Sequence, residues 1–449
     1  MVKAPIIMYY YTQMIGDIFN MPTIKATADF FGIGLIDSDV YYPGGANWYQ
    51  NQNNFYRQIR NFILDIKNMP MNFGHCLHWQ VAQATSLQNI VFNMVEGGGE
   101  ANGQYGIFMD NGSGGWMSDL VFNGGGIGAF LGNQQFTARN LTFNNCVTAV
   151  YMNWDWLWAF KSLTVNNCQI GIDISQGGGT VQTVGSLLVQ DSYFNHVDQA
   201  IVTTWSSNST PVAGGTMVLD NVDFTTSNYA VSYPNKTIVV PGGQKVQSFI
   251  QGRAYTAFEA AKQFGNLTCY VPQATSGRIQ RIVDPPPKPS VLLTTTGTIY
   301  ERSKPQYENV PLASFISAKD NGCKGDGVTD DTAAIQALFN KVTRDQVVYF
   351  DHGAYVVSNT IQVPTHIRMT GEMWPLIMVN GASPTFSDVN NPKPAFRVGN
   401  PGDVGAVEMT DMVFETRGPA PGAIIVEWNL AGETQGAAGE PLVLLQYVR

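Results

Sequence analysis

Three acids in the second half of the chain, Asp326, Asp330 and Asp331, stand close enough for a calcium site or an acid–base cluster. They also read without a metal. Gly325-Asp326-Gly327 is a tight turn, and Thr329, Asp330 and Asp331 supply an N-cap and first-turn acids to TAAIQALFNK, an amphipathic helix ending at Lys341. Glu427 lies beside Trp428 in VEWNL, where an apolar neighbour could raise its carboxyl into the range of a general acid. Its plainer reading is a carboxylate bonding loop backbone at the edge of a helical stack, and Glu408 is no better a candidate. Trp154, Trp156 and Trp158 alternate in NWDWLWAF, so on a strand they share one face. That face is either a platform for the apolar sides of sugar rings or a packing surface. The five cysteines contain no CxxC pair, which sets aside a zinc ribbon or a thioredoxin-like redox motif.

These residues must be held by something, and a recurring phrase shows what. QNIVFN ends at Asn93, SDLVFN at Asn123, RNLTFN at Asn144, KSLTVN at Asn166 and QDSYFN at Asn195, in steps of 30, 21, 22 and 29 residues. A weaker copy, DNVDF, ends at Phe224. Short steps of this size mark solenoids, and the longer ones fit a loop inserted into one turn. Each phrase alternates polar and apolar residues, the period of a half-buried strand: Leu120 and Phe122 point one way, Asp119 and Val121 the other. No repeat contains an amphipathic helix of useful length. The predicted fold is therefore all-β, a right-handed parallel β-helix. Stacking places Asn145 over Asn167 as an amide ladder. It also makes Cys146 and Cys168 neighbours, either as two small buried thiols or as a disulfide.

The second half starts the pattern again. Residues 276–312 carry three consecutive prolines and read as an extended linker. GCKGDGVTDDTAAIQ follows, then QVVYFDHGAYVVS and TIQVP as strands, and VGAVEMTDMVFET at Val404 returns to the phrase. A helix laid over the open end of such a stack would cap its exposed edge strands. The predicted organisation is two tandem β-helices, the first (1–275) lacking its start, the linker (276–312), and the second (313–449) incomplete. Cut ends of this kind predict poor solubility.

Composition narrows the partners. The chain has 25 Lys+Arg against 34 Asp+Glu, a net charge of −9, which disfavours nucleic acid and anionic membranes. No apolar run is long enough for a membrane helix, and the N-terminus does not read as a signal peptide. Five N-glycosylation sequons, at Asn111, Asn140, Asn208, Asn235 and Asn266, point weakly to secretion, so the expectation is a chain that begins inside a longer secreted protein.

The entry segment GCKGDGVTDDTAAIQ resembles that of the pectate-lyase-like superfamily. YYYTQMIGD, NQNNFYRQIRNF, HWQVAQATSLQNIVFNM, NGSGGWMSDLVFNGG, GNQQFTARNLTFNN and VEWN together resemble the fungal exo-β-1,3-glucanases of glycoside hydrolase family 55. The similarity runs from about residue 6 to Gly439; the last ten residues, from Glu440, do not match. The resemblance implies two tandem right-handed β-helices and an extracellular, monomeric enzyme with no cofactor or metal. It implies hydrolysis of β-1,3-glucan from the non-reducing end with inversion, which needs an acid for the leaving oxygen and a water aimed at the opposite ring face. In the family the water is held by a Gln and a Ser, which map to Gln83 and Ser113. The general acid is a Glu late in the second helix. No segment matches it, leaving Glu427 as the substitute candidate. Trp79, Gln104, Trp116 and Trp156 are the expected substrate contacts. A chain without the acid is expected to bind glucan without cleaving it. Polygalacturonase-like chemistry would need a GHG segment, which is absent, and an RIK, whose closest match is Arg278-Ile279-Gln280 in the linker. A calcium-dependent pectate lyase would need clustered Asp with a nearby Lys or Arg on the strands.

Overall fold

The computed structural model describes residues 1–264, 267–432, 434–435, 440–441 and 444–445, with side chains described for 1–253 and 277–432. The chain is mostly strand and divides into two compact units, Met1–Pro287 and Lys288–Arg449.

The first unit is a stack of parallel coils. One ladder runs through Gly34–Asp37, Gly74–His78, Gln104–Met109, the first part of Ile127–Asn144, the first part of Thr148–Asn166, Ile170–Asp173, Gln199–Val202 and Tyr229–Ser232. A second runs through Arg57–Asp65, Thr85–Asn93, Trp116–Asn123, the later parts of the two long strands, Ser186–Asn195 and Thr216–Asp223. The register sets Asn93, Asn123, Asn144, Asn166 and Asn195 in line, so the repeated phrase is the unit of stacking. Its apolar positions build the core: the rings of Phe92, Phe122 and Phe143 stack with centroids 4.5 Å apart at each step.

Midway along each strand of the second ladder the backbone turns through one left-handed residue: Asn61, Asn89, Asp119, Asn140, Ser162, Asp191 and Asn221, all with φ between 48° and 63°. Six of these seven are Asn or Asp, the side-chain-bearing residues that tolerate this region best. Several bond along the column, as Asn89 does to Asn61 (2.9 Å) and Asn140 to Asp119 (2.7 Å).

The amide ladder lies one residue from its predicted place. The bonded column is Asn93, Asn123, Asn144, Asn166 and Asn195, with contacts of 2.9–3.3 Å. Asn145 and Asn167 instead take left-handed φ of 57° and 54° and make the corner. Cys146 and Cys168 are free and buried, each thiol directed at the carbonyl two residues back.

The parallel stack ends in antiparallel pairing of Thr216–Asp223 with Lys245–Phe264, which pairs in turn with Leu267–Ile282. Arg278–Ile282, expected in the linker, are therefore strand. Arg278 donates to the carbonyls of Ser207 and Ser209 and lies over the Trp205 ring.

The second unit repeats the principle on a smaller scale. Val347–Phe350, Arg368–Gly371 and Glu408–Thr410 form one parallel ladder, Ala354–Val357, Leu376–Asn380 and Val413–Arg417 another, and Ile361–Val363, Lys393–Val398 and Ala423–Trp428 a third. The helix Thr332–Lys341 buries Ile335, Leu338 and Phe339. Gln336 covers an open strand edge by giving its amide nitrogen to Gln362 O (3.0 Å) and taking Gln362 N–H on its oxygen (2.7 Å). Residues 302–307 lie along this unit through ion pairs of Arg302 with Glu408 and of buried Lys304 with Asp411. Residues from 433 on carry no described side chains.

Candidate active site

Gln83 sits in the corner between Gly74–His78 and Thr85–Asn93, and Ser113 in the corresponding corner one coil on, between Gln104–Met109 and Trp116–Asn123. A parallel bridge from Val81 to Gly112, with Ser113 N–H on Val81 O at 3.1 Å, superposes the two corners. Thirty residues of sequence thus become one step of the stack. Ser113 Oγ lies 3.1 Å from Gln52 O and 3.4 Å from Gln83 Oε1. A hydroxyl carries one proton, so both contacts are satisfied together when Ser113 donates to Gln52 O and the Gln83 amide turns its NH2 to Ser113 Oγ. The Gln83 carbonyl is then free to accept from a water. Ser113 is only 3% exposed, whereas Gln83 is half-buried, so Gln83 meets solvent and Ser113 anchors it.

The NGSGG sequence is imposed by the corner. A Cβ on Gly112 would lie 2.3 Å from Val81 O, and one on Gly115 would lie 2.7 Å from the Phe136 ring. Asn133, on the next coil, takes Gly114 N–H at 2.7 Å and is fully buried. Sequence reasoning missed Asn133, one of many Asn in the chain. It also missed the buried chain in the neighbouring corner. His78 Nδ1 meets Asp37 (2.7 Å), His78 Nε2 meets the Gln80 amide (3.0 Å), and Asn47 joins Gln80 (3.0 Å) to Asp39 (2.8 Å). Burial raises the Asp39 carboxyl against the bonds it receives from Asn47 and Tyr49 N–H.

Other expected site residues are placed elsewhere. Trp79 has no exposed surface and belongs to the core, so it has no face to offer a sugar. Gln104 is also fully buried. Its amide nitrogen reaches the carbonyls of Ile66, Met69 and Pro70, and its oxygen takes Val95 N–H, which makes it a turn clamp. Trp116 is half-buried, three residues from Ser113 at the start of its strand. Trp156 is 61% exposed, but it does not share its face with Trp158. Trp156 and Leu157 are both exposed, so the alternation slips at this corner and Trp158 turns inward onto Phe136, 4.8 Å away. Trp154 is held by its indole N–H on Asp110 O (2.8 Å).

Glu427 is not a raised acid. Asn429 (2.8 Å) and Arg397 (2.7 Å) bond its carboxylate and hold its pKa below the usual value. Trp428 directs its indole N–H to Leu430 O (3.1 Å). The Asp326–Asp331 carboxylates are spent on backbone. Asp326 takes the N–H groups of Thr329 and Val328, which pull its pKa down to about 2. Asp331 precedes the helix but closes the loop at Lys324 and Gly325 N–H rather than capping the helix, and Asp330 bonds Thr332 N–H (3.0 Å).

Comparison with known proteins agrees with this architecture. The family model described as "Rhamnogalacturonase A/epimerase, pectate lyase-like" matches residues 1–173 and 315–395, more than half of the chain. A protein of Arthroderma benhamiae named "Probable glucan endo-1,3-beta-glucosidase" is 46% identical across 98% of this chain and 59% of its own length. A "Glucan 1,3-beta-glucosidase" of Cochliobolus carbonum is 36% identical across 96% of this chain and 53% of its own. A Penicillium expansum protein named "Non-secreted LysM effector LysM19" is 39% identical across 98% of this chain and 34% of its own. The chain thus spans little more than half the length of the two glucosidase-named relatives, and a third of the other. It belongs to the rhamnogalacturonase A/epimerase, pectate-lyase-like family.

Proposed function

We propose that this chain is the water-positioning part of a glycoside hydrolase that cuts β-1,3-glucan from the non-reducing end with inversion. The observation that carries the reading is the apposition of Ser113 Oγ and the Gln83 amide one coil apart. A neutral amide cannot take a proton strongly, but it can aim a water, which is what the far side of the sugar ring needs in an inverting displacement. Ser113 fixes the amide and Gln52 O fixes Ser113, so the water would meet a carbonyl already oriented before substrate arrives. The relatives named for glucan 1,3-β-glucosidase activity support the substrate class. The parallel ladders of each unit support two tandem right-handed β-helices, divided as 1–275, 276–312 and 313–449 except that Arg278–Ile282 stay with the first. An extracellular monomer fits the same reading. Among the described residues no helix is long and apolar enough to cross a membrane.

Glu427, held as a carboxylate, is not the proton donor in this scheme. That observation favours a second reading for this length of chain, a glucan-binding β-helix without turnover. Glucose release from laminarin, with the product anomer followed by NMR, decides between them. Release of α-glucose that falls at least 100-fold in Gln83→Ala supports the hydrolase. Laminarin binding without release supports the second reading, and release of β-glucose would overturn inversion.

A further inference from the structure

Two coils beyond Ser113, in the same corner of the stack, lies a cavity of about 560 Å³ lined by Trp154, Asp155, Trp156, Gln182, Thr183 and Thr216, among others. Its position follows from register. Asn133, which holds Gly114, pairs with Asp155 on the next coil, so the cavity lies roughly 10 Å along the stack from Ser113 at a strand spacing of about 4.8 Å.

Two of the residues that line this cavity each carry a buried acceptor with no partner among the described residues. Asp155 is 3% exposed; its Oδ1 takes the N–H groups of Gly185 (2.8 Å) and Ser186 (3.0 Å), and its Oδ2 bonds nothing. Gln182 is 5% exposed; its nitrogen reaches Gly178 O (2.8 Å) and Thr204 Oγ1 (3.4 Å), and its Oε1 bonds nothing. Buried polar atoms are ordinarily satisfied, so two orphan acceptors at one cavity call for a ligand rich in hydroxyl donors. The walls add the other half of such a ligand's chemistry. Trp154 is pinned by its bond to Asp110 O, and Trp156 leaves most of its indole in solvent, an unusual exposure for so large an apolar ring. Asp155 is the one charged side-chain type among the lining residues, which disfavours a phosphate, a uronate chain or a metal.

We propose that this cavity is a second glucan-binding site, distinct from the Gln83–Ser113 pair, in which Trp156 stacks on a glucosyl ring while Asp155 Oδ2 and Gln182 Oε1 accept its hydroxyls. The choice of glucan as ligand rests on the functional reading above; the existence of a sugar site does not. A chain held here runs along the same corner as Gln83, so the site would keep a polymer on the enzyme between cuts.

The test is affinity electrophoresis of the full chain in gels containing laminarin, with polygalacturonate gels as the comparison. Trp156→Ala and Gln182→Leu should each weaken laminarin retention about five- to tenfold, a loss the size expected for one stacked ring or one buried acceptor. Unchanged retention in both folded cavity variants would overturn the site, and so would wild-type protein that laminarin does not retain. Trp156-dependent retention by polygalacturonate instead would overturn the ligand class. Retention that depends on Trp156 in a protein releasing no glucose would sink the hydrolase reading and leave this inference standing.

Discussion

Asn166 gives its side-chain amide to the Asn144 side-chain oxygen at 2.9 Å, and Asn144 passes the same bond to Asn123 at 3.0 Å. Each of the three middle amides is donor to one neighbour and acceptor from the other, so it carries two bonds. Asn144→Ala removes both and leaves a donor and an acceptor unpaired in half-buried surroundings. The expected cost is about 1–3 kcal/mol, read as a lower melting temperature. Asn145→Ala should act differently, through the left-handed φ of 57° rather than through a ladder bond. Asn145→Gly should therefore restore stability, whereas no glycine rescue is expected at Asn144.

Lys304 and Asp411 form a buried ion pair that ties residues 302–307 to the strands of the second unit. Lys304→Met leaves the Asp411 carboxylate without its cation, and losses of this kind are typically about 3–5 kcal/mol. Adding Asp411→Asn should recover much of the loss, because Asn removes the charge and accepts the left-handed φ of 56° at this position. Urea melts of the two single variants and the pair give the coupling. Additive losses would show that the pair contributes little.

What could be read from the sequence was the periodic part. The phrase ending in Asn93, Asn123, Asn144, Asn166 and Asn195 stacks in register because its apolar positions have nowhere else to go than the core. The corners were harder. Trp79 follows a strand and was expected at the surface, but the chain keeps its inward direction there through Trp79 N–H on Phe108 O (2.9 Å). Trp158 was expected beside Trp156, but strand alternation fails where two ladders meet. Gln104 was expected to bind substrate, and its polarity serves the carbonyls of a neighbouring turn instead. Asn144 and Asn145 differ by one position, and only the backbone φ at Asn145 tells the ladder from the corner. Gln83 and Ser113 are expected from motif resemblance, yet their contact depends on a step of one coil that spacing alone does not fix.

Glu427→Gln should leave any glucan hydrolysis within about twofold of the parent, since a carboxylate bonded by Asn429 and Arg397 is not a proton donor. Its stability effect has a definite sign. The folded pKa is lowered, so the group stabilises the protein above its unfolded pKa, and that contribution disappears as pH falls through the folded value. The pair is only half-buried, so the effect should be small and should fade in high salt. A 100-fold loss of glucose release in Glu427→Gln, with the melting temperature kept, would return it to the role of acid.

Asp155 has the opposite sign. Burial pushes its carboxyl up to about 7, against two backbone N–H groups that pull it down. The folded protein therefore holds a proton at Asp155 that the unfolded chain, with an ordinary carboxyl near 3.9, has released over much of the interval between. The stability linked to that proton is fully present below the unfolded pKa and is lost as pH rises through about 7. An amide keeps the shape without titrating, so Asp155→Asn should flatten this component of the pH profile. Melting followed from pH 4 to 8 should show the variant gaining on the parent as pH rises, by up to about 4 kcal/mol at the upper end. A constant difference between the two across that range would mean that Asp155 stays ionised in the folded protein. Oδ2 would then enter the cavity as a charge, able only to accept. With the predicted slope, the same oxygen carries a proton in acid and can also donate to a sugar, so laminarin retention should change across the same pH window in the parent and not in Asp155→Asn.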